Sequence, residues 1–97
     1  MAKVNTINKN FKVYFHYDSI ELEEGTEVYT GDTICKIYNE DGTIQLAYGH
    51  SSCAPEDQFN KREGRKISLT RAMKQLKLNR EDRVVFWKTL FPQYFRS

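Results

Sequence analysis

Lys61, Arg62, Arg65 and Lys66 crowd the start of a stretch with helical spacing, and Arg71, Lys74 and Lys77 carry the charge onward along it. Free backbone N–H groups at a helix start, joined by guanidinium forks and ammonium groups, suit a phosphate. The first half of the chain has the opposite character. Glu21, Glu23, Glu24, Glu27 and Asp32 form an acidic segment that fits a cationic partner surface, including one that ordinarily holds nucleic acid. Residues 1–53 carry four Lys/Arg against eight Asp/Glu, a balance of −4, and residues 54–97 carry eleven against five, a balance of +6. Such a split points to an acidic or nucleic-acid partner for the basic half, and it equally fits a solvated helix surface. Because the whole chain is +2, mimicry of DNA is confined to the acidic segment.

Catalytic chemistry has few candidates. His16 and His50 lie in strand-like runs away from any Ser or Cys arrangement of triad type, and Asp18 and Asp32 lack metal-ligand spacing. Cys35, Cys53, His16 and His50 have the right types for zinc but not the paired short spacings that mark a zinc site. The expectation is a protein that binds and does not catalyse, with no metal and no cofactor. Tyr94 and Phe95 follow Pro92 in an aromatic tail, and exposed aromatics favour interfaces, with a partner or with a second copy in a homodimer.

The elements that must position these residues follow from periodicity. Phe11-Lys-Val-Tyr-Phe-His-Tyr17 alternates, with Phe11, Val13, Phe15 and Tyr17 on one face of a strand. Residues 18–31 fit no single period and read as a long acidic connection with one short strand near Glu27 to Thr30. Asp41-Gly42 between two alternating runs signals a hairpin. With a two-residue turn it pairs Glu40 with Thr43, Ile37 with Leu46 and Cys35 with Tyr48, and gathers Cys35, Ile37, Ile44, Leu46 and Tyr48 on one face. Leu69, Ala72, Met73 and Leu76 then form an i, i+3, i+4, i+7 stripe, which predicts an amphipathic helix over roughly 64–78 with Ile67, Arg71 and Lys74 on its far side. Asn79 is a suitable N-cap for a second helix with Glu81 and Asp82 in its first turn, and Pro92 ends it. The fold class expected is α+β: an antiparallel three- to four-stranded meander followed by two C-terminal helices packed on one face, in a single domain spanning residues 1–97.

The segment Cys53-Ala-Pro-Glu-Asp-Gln-Phe-Asn-Lys-Arg-Glu-Gly-Arg-Lys-Ile-Ser-Leu-Thr-Arg-Ala72 resembles one found in small uncharacterised proteins of phages and prophages, where a β-meander leads into such a helix. The likeness covers about residues 33–78. It implies an origin in a mobile genetic element and the sheet-then-helix order. Small phage proteins often block host defence, as anti-CRISPR proteins and sponges for signalling nucleotides do. The resemblance therefore implies a non-catalytic accessory protein that inhibits a host defence system by binding a host protein or nucleoprotein complex. The alternative is a nucleic-acid or signalling-nucleotide binding protein that uses the basic helix.

Within that segment, Pro55 and Asp57 would shape the turn leaving the hairpin, Phe59 would fill the gap between sheet and helix, and Gly64 would permit a close approach. Arg65 falls on the apolar side of the helix, where it needs an anion, a carbonyl cage, or a carboxylate such as Asp57 or the acidic segment. No run approaches the roughly 18 apolar residues of a membrane span, and the N-terminus lacks a signal peptide's apolar stretch. The expectation is a cytoplasmic protein without membrane contact, in the host cytoplasm if phage-encoded, with both cysteines as free thiols.

Overall fold

The computed structural model describes residues 2–6, 9–52 and 60–95, the side chains of Tyr94 and Phe95 excepted. Four strands, β1 (Ala2–Asn5), β2 (Asn10–Glu21), β3 (Glu27–Tyr38) and β4 (Gln45–Ser51), form one antiparallel sheet in the order β1-β2-β3-β4. Two helices, α1 (Lys61–Leu76) and α2 (Arg80–Leu90), follow, and a 3-10 turn covers Pro92–Phe95. This is the α+β meander with two C-terminal helices that the periodicity predicts, with α1 packed on β3 and β4 and α2 reaching β1.

Three local features differ from the sequence reading. Ala2–Asn5 is too short to show a period, yet it pairs with β2, and Val4 opposite Phe11 is fully buried. The acidic segment is not a connection. β2 runs on through Glu21 and β3 begins at Glu27, so the segment is the far end of one long hairpin whose loop is residues 22–26. A bulge interrupts that hairpin between Tyr17↔Thr33 and Ser19↔Tyr29, with Gly31 at φ 95°, a value that favours glycine. The irregular stretch on β3 broke the period on which the shorter strand assignment rested.

The third difference is the β3–β4 register. Tyr38 does pair with Gln45, as a two-residue turn would dictate, but a bulge follows and Ile37 pairs with Ala47, Cys35 with Gly49 and Thr33 with Ser51. Gln45 and Ala47 oppose adjacent β3 residues, so Leu46 is the extra residue. A one-residue slip moves every later side chain to the other face. Ala47, Gly49 and Ser51 are buried beneath α1, while Leu46 and Tyr48 are about two-fifths exposed on the outer face. The expected grouping of Leu46 and Tyr48 with Cys35 and Ile37 is thus overturned.

The reason lies in the helix. α1 sits so close to β4 that a Cβ on Gly49 would overlap the Ser68 carbonyl oxygen and stand 2.6 Å from the Ala72 amide nitrogen. Only a small residue fits there, and the bulge supplies the small residues. One turn earlier, a Cβ on Gly64 would collide with the Thr33 hydroxyl. Between helices and sheet lie Val4, Phe11, Val13, Cys35, Ile37, Ala47, Leu69, Ala72, Met73, Phe86 and Phe91. Phe86 meets Phe11 with ring centroids 5.3 Å apart, and both Phe86 and Phe91 are sealed from solvent.

Both helices carry asparagine caps. Asn60 Oδ1 accepts from the Arg62 and Glu63 amides at 3.0 and 3.3 Å, which starts α1 at Lys61, about two turns before its apolar stripe. Asn79 Oδ1 accepts from the Asp82 amide at 2.8 Å, as the sequence predicts. α1 also closes the sheet edge. Gln75 Oε1 accepts the outward Tyr48 amide at 2.9 Å, and Arg71 donates to the His50 carbonyl, so two side chains one helical turn apart satisfy an edge strand that would otherwise offer unpaired groups.

Candidate functional site

Helical spacing scatters the basic cluster of α1 in place of gathering it. Lys61 turns towards the sheet, its Nζ 4.8 and 4.6 Å from the ring centroids of Tyr17 and Tyr29. Arg65 reaches inward and lays its guanidinium 5.7 Å from the Phe91 ring centroid. Its buried Nε has no hydrogen-bond partner among the described residues, where an aromatic face is the partner its guanidinium meets. Arg71 is spent on the β4 edge, and Lys66 lies 3.5 Å from Glu63 one turn back. Arg62 and Lys74 are exposed. The first-turn amides are partly taken by Asn60, so Lys61, Arg62, Arg65 and Lys66 do not converge on one point. The expected pairing of Arg65 with Asp57, like the roles of Pro55 and Phe59, falls outside the described residues, as do the side chains of Tyr94 and Phe95 and the state of Cys53.

Several residues between Gly64 and Ala72 therefore act as a clasp between helix and sheet. Gly64 abuts Thr33, Arg65 covers Phe91, Leu69 and Ala72 are buried, and Arg71 seals the edge.

A cationic concavity lies further along, where α1 and α2 meet. A groove of about 470 Å³ is lined by Thr70, Met73, Lys74, Lys77, Leu78, Arg80, Arg83, Val84 and Trp87. Four of these are Lys or Arg, and none of the described residues lining it is acidic. A smaller recess of about 270 Å³ shares Thr70, Lys74 and Trp87 with it and adds Glu63, Lys66, Ile67 and Arg71. The indole of Trp87, half-buried and packed on Phe91 at 5.3 Å between centroids, gives the groove an aromatic wall. Lys77 ends α1 in the left-handed conformation at φ 51°, and this turn carries the basic row from α1 onto α2. The sequence held a signal for the groove: Arg71, Lys74, Lys77, Arg80 and Arg83 recur every third residue across the junction. Each helix taken alone carries only part of this row.

The acidic segment forms the other prominent surface. Glu21, Glu23, Glu24 and Glu27 are exposed on and beside the β2–β3 loop, with Glu21 directly opposite Glu27 and Ser19 Oγ donating to the Glu27 carboxylate. Ile20, Leu22 and Val28 are 42–55% exposed between them. Asp32 is set apart. It lies back in the sheet, its Oδ2 3.7 Å from His50 Nε2.

The remaining candidate chemistry comes apart in space. Cys35 is a free thiol, buried on the helix-facing side, and burial pushes it up to about 12. His16 and His50 stand on the opposite face, so Cys35 shares no site with them. Among the described residues, no three His, Cys, Asp or Glu side chains gather as a metal would require. No helix among the described residues is long and apolar enough to cross a membrane.

Fold and surfaces together define a small α+β protein whose distinctive features are a cationic aromatic groove and an acidic hairpin end. No family model, curated protein or solved structure matches the chain.

Proposed function

We propose that this chain is a binding protein whose inter-helix groove takes a ligand that joins a nucleobase to phosphate, as a nucleotide or as part of a nucleic acid. The observation that carries the reading is the groove itself: Lys74, Lys77, Arg80 and Arg83 around Trp87, without a carboxylate among its described lining residues. A base stacks on the indole, and the four cations meet the phosphate charge. The volume of about 470 Å³ lies in the range of small-ligand sites.

The reading is tested by titrating a labelled oligonucleotide and, separately, a labelled nucleoside triphosphate into the protein at low and physiological salt. Triphosphate binding should weaken steeply with salt and be lost in a Lys74→Glu/Arg83→Glu variant that keeps its helical circular dichroism, and oligonucleotide binding should weaken in it. Saturation by the triphosphate alone would identify a nucleotide, and preference for the oligonucleotide a nucleic acid. Salt-insensitive binding or an unaffected double variant would overturn the reading.

A second reading, of a phage-type accessory protein that inhibits a host defence complex, is favoured by the acidic hairpin end. Four glutamates interleaved with exposed Ile20, Leu22 and Val28 suit a cationic protein groove that otherwise holds nucleic acid. Its test is a nuclease-resistant complex with a nucleic-acid-binding protein, lost on Glu23→Lys/Glu24→Lys substitution. A complex that survives the reversal would remove this reading.

A further inference from the structure

The outer face of the sheet is the part of the molecule that the groove leaves unexplained. Both helices lie on the inner face, and the strand pairings lay the outer residues in rows. Tyr14, Lys36 and Tyr48 form one row across β2, β3 and β4, and His16, Ile34 and His50 form the next. Tyr14 and Tyr48 are 39% and 40% exposed although they flank a central strand. Two strand spacings separate them by roughly 10 Å, with the Lys36 ammonium stem between. The rings of Tyr14 and His16 already stack, 6.4 Å apart and 18° from parallel.

The bulge at Leu46 is what puts Tyr48 here. Without it Tyr48 would point into the helix and Ala47 and Gly49 outward, and bulges commonly serve to re-aim a side chain of this kind. Charge decides what the face suits. Lys3 opposes Lys12 at one end, and Lys36 sits at the centre. Asp18 and Asp32 lie two residues beyond His16 and Ile34, towards the other end of the face, and Glu40 accepts from Asn10 at 3.2 Å. A neutral apolar partner would leave Lys12 and Lys36 unpaired. Flat rings between cations match a chain of unstacked bases with a phosphate backbone.

We propose that the outer sheet face is a platform for single-stranded nucleic acid, with Tyr14 and Tyr48 stacking bases and Lys36 and Lys12 meeting the backbone. Duplex is a poor ligand because its bases are already stacked. This site is separate from the groove and does not depend on it.

The experiment measures fluorescence anisotropy of labelled single-stranded DNA and RNA oligonucleotides on the wild-type chain, the Lys74→Glu/Arg83→Glu chain, a Tyr14→Ala/Tyr48→Ala chain and a Tyr14→Phe/Tyr48→Phe chain. With the tyrosine pairs placed in the Lys74→Glu/Arg83→Glu chain, which lacks the groove's contribution, the alanine pair should weaken the remaining binding by tenfold or more, the phenylalanine pair should leave it intact, and unlabelled duplex should compete poorly. Thermal unfolding checks that the alanine pair still folds; if it does not, Lys36→Gln takes its place. Affinity unchanged by the tyrosine substitutions, or duplex competing as well as single strand, would overturn the proposal. Loss in the groove variant alone would leave the groove as the sole nucleic-acid site and also reject the platform.

Discussion

Gly49 on β4 lies directly beneath Ser68 on α1, with no room between them for a side chain. That contact couples the position of the helix to the face on which Tyr48 emerges, because the bulge that delivers a glycine to the helix also turns its neighbour outward. Substituting Gly49→Ala forces a methyl against helix backbone, which cannot give way as a flexible side chain would. A loss of about 1–3 kcal/mol or more is expected in urea unfolding. An unchanged midpoint would mean that α1 can lift away from β4.

Arg71 is a structural cation. Arg71→Ala should cost about 1 kcal/mol, the net worth of its hydrogen bond to the outward His50 carbonyl, and should lower solubility by opening that edge. Lys74→Ala, on the exposed side of the same helix, should leave stability within about 0.5 kcal/mol of wild type. Chemical denaturation of the two variants side by side checks the contrast, and equal effects would contradict it.

The Cys35 thiol is pushed up to about 12 by burial, from 9.0 in the unfolded chain. Between those values the unfolded chain has lost its proton and the folded one has kept it. The thiol's contribution to stability is therefore complete below pH 9 and falls as pH rises towards 12. In a Cys53→Ser chain, Cys35 should react with a thiol-specific disulfide reagent at pH 8 only on unfolding, and Cys35→Ala should flatten the alkaline limb of the stability profile. Rapid labelling of the native chain would contradict the burial.

At the hairpin end, Glu21 faces Glu27 across the strands, a like-charge pair that opposes the hairpin by a few tenths of a kcal/mol to about 1 kcal/mol. Glu21→Lys keeps the Ser19 to Glu27 hydrogen bond and turns repulsion into attraction. Amide hydrogen exchange at Ile20 and Val28 should slow. Faster or unchanged exchange would show that the pair is too well solvated to matter.

The helices were legible because their signals are local: the Asn79 cap, a four-residue apolar stripe and a proline stop all act within one or two turns, while the Asn60 cap lies ahead of the stripe and sets the earlier start of α1. The strand faces were not, because face depends on register. The Asp41-Gly42 signal correctly paired Tyr38 with Gln45, but the bulge one residue later answers to the approach of α1, which no local pattern records. Arg65 shows the same limit. Its place on the apolar side was readable, but the phenyl face it covers comes from residue 91, after a second helix. Trp87 lies in the apolar run of α2, and only the helix junction brings Lys74, Lys77, Arg80 and Arg83 around it.

The groove claim is tested most directly by the chain's single tryptophan, which forms part of the groove wall. Trp87 fluorescence, followed at low salt while a nucleoside triphosphate or a short oligonucleotide is added, should quench to saturation. The quench should reverse with added salt and be absent in Lys74→Glu/Arg83→Glu. Emission that stays constant while anisotropy shows the ligand bound would place that ligand elsewhere on the molecule and contradict the groove as its site.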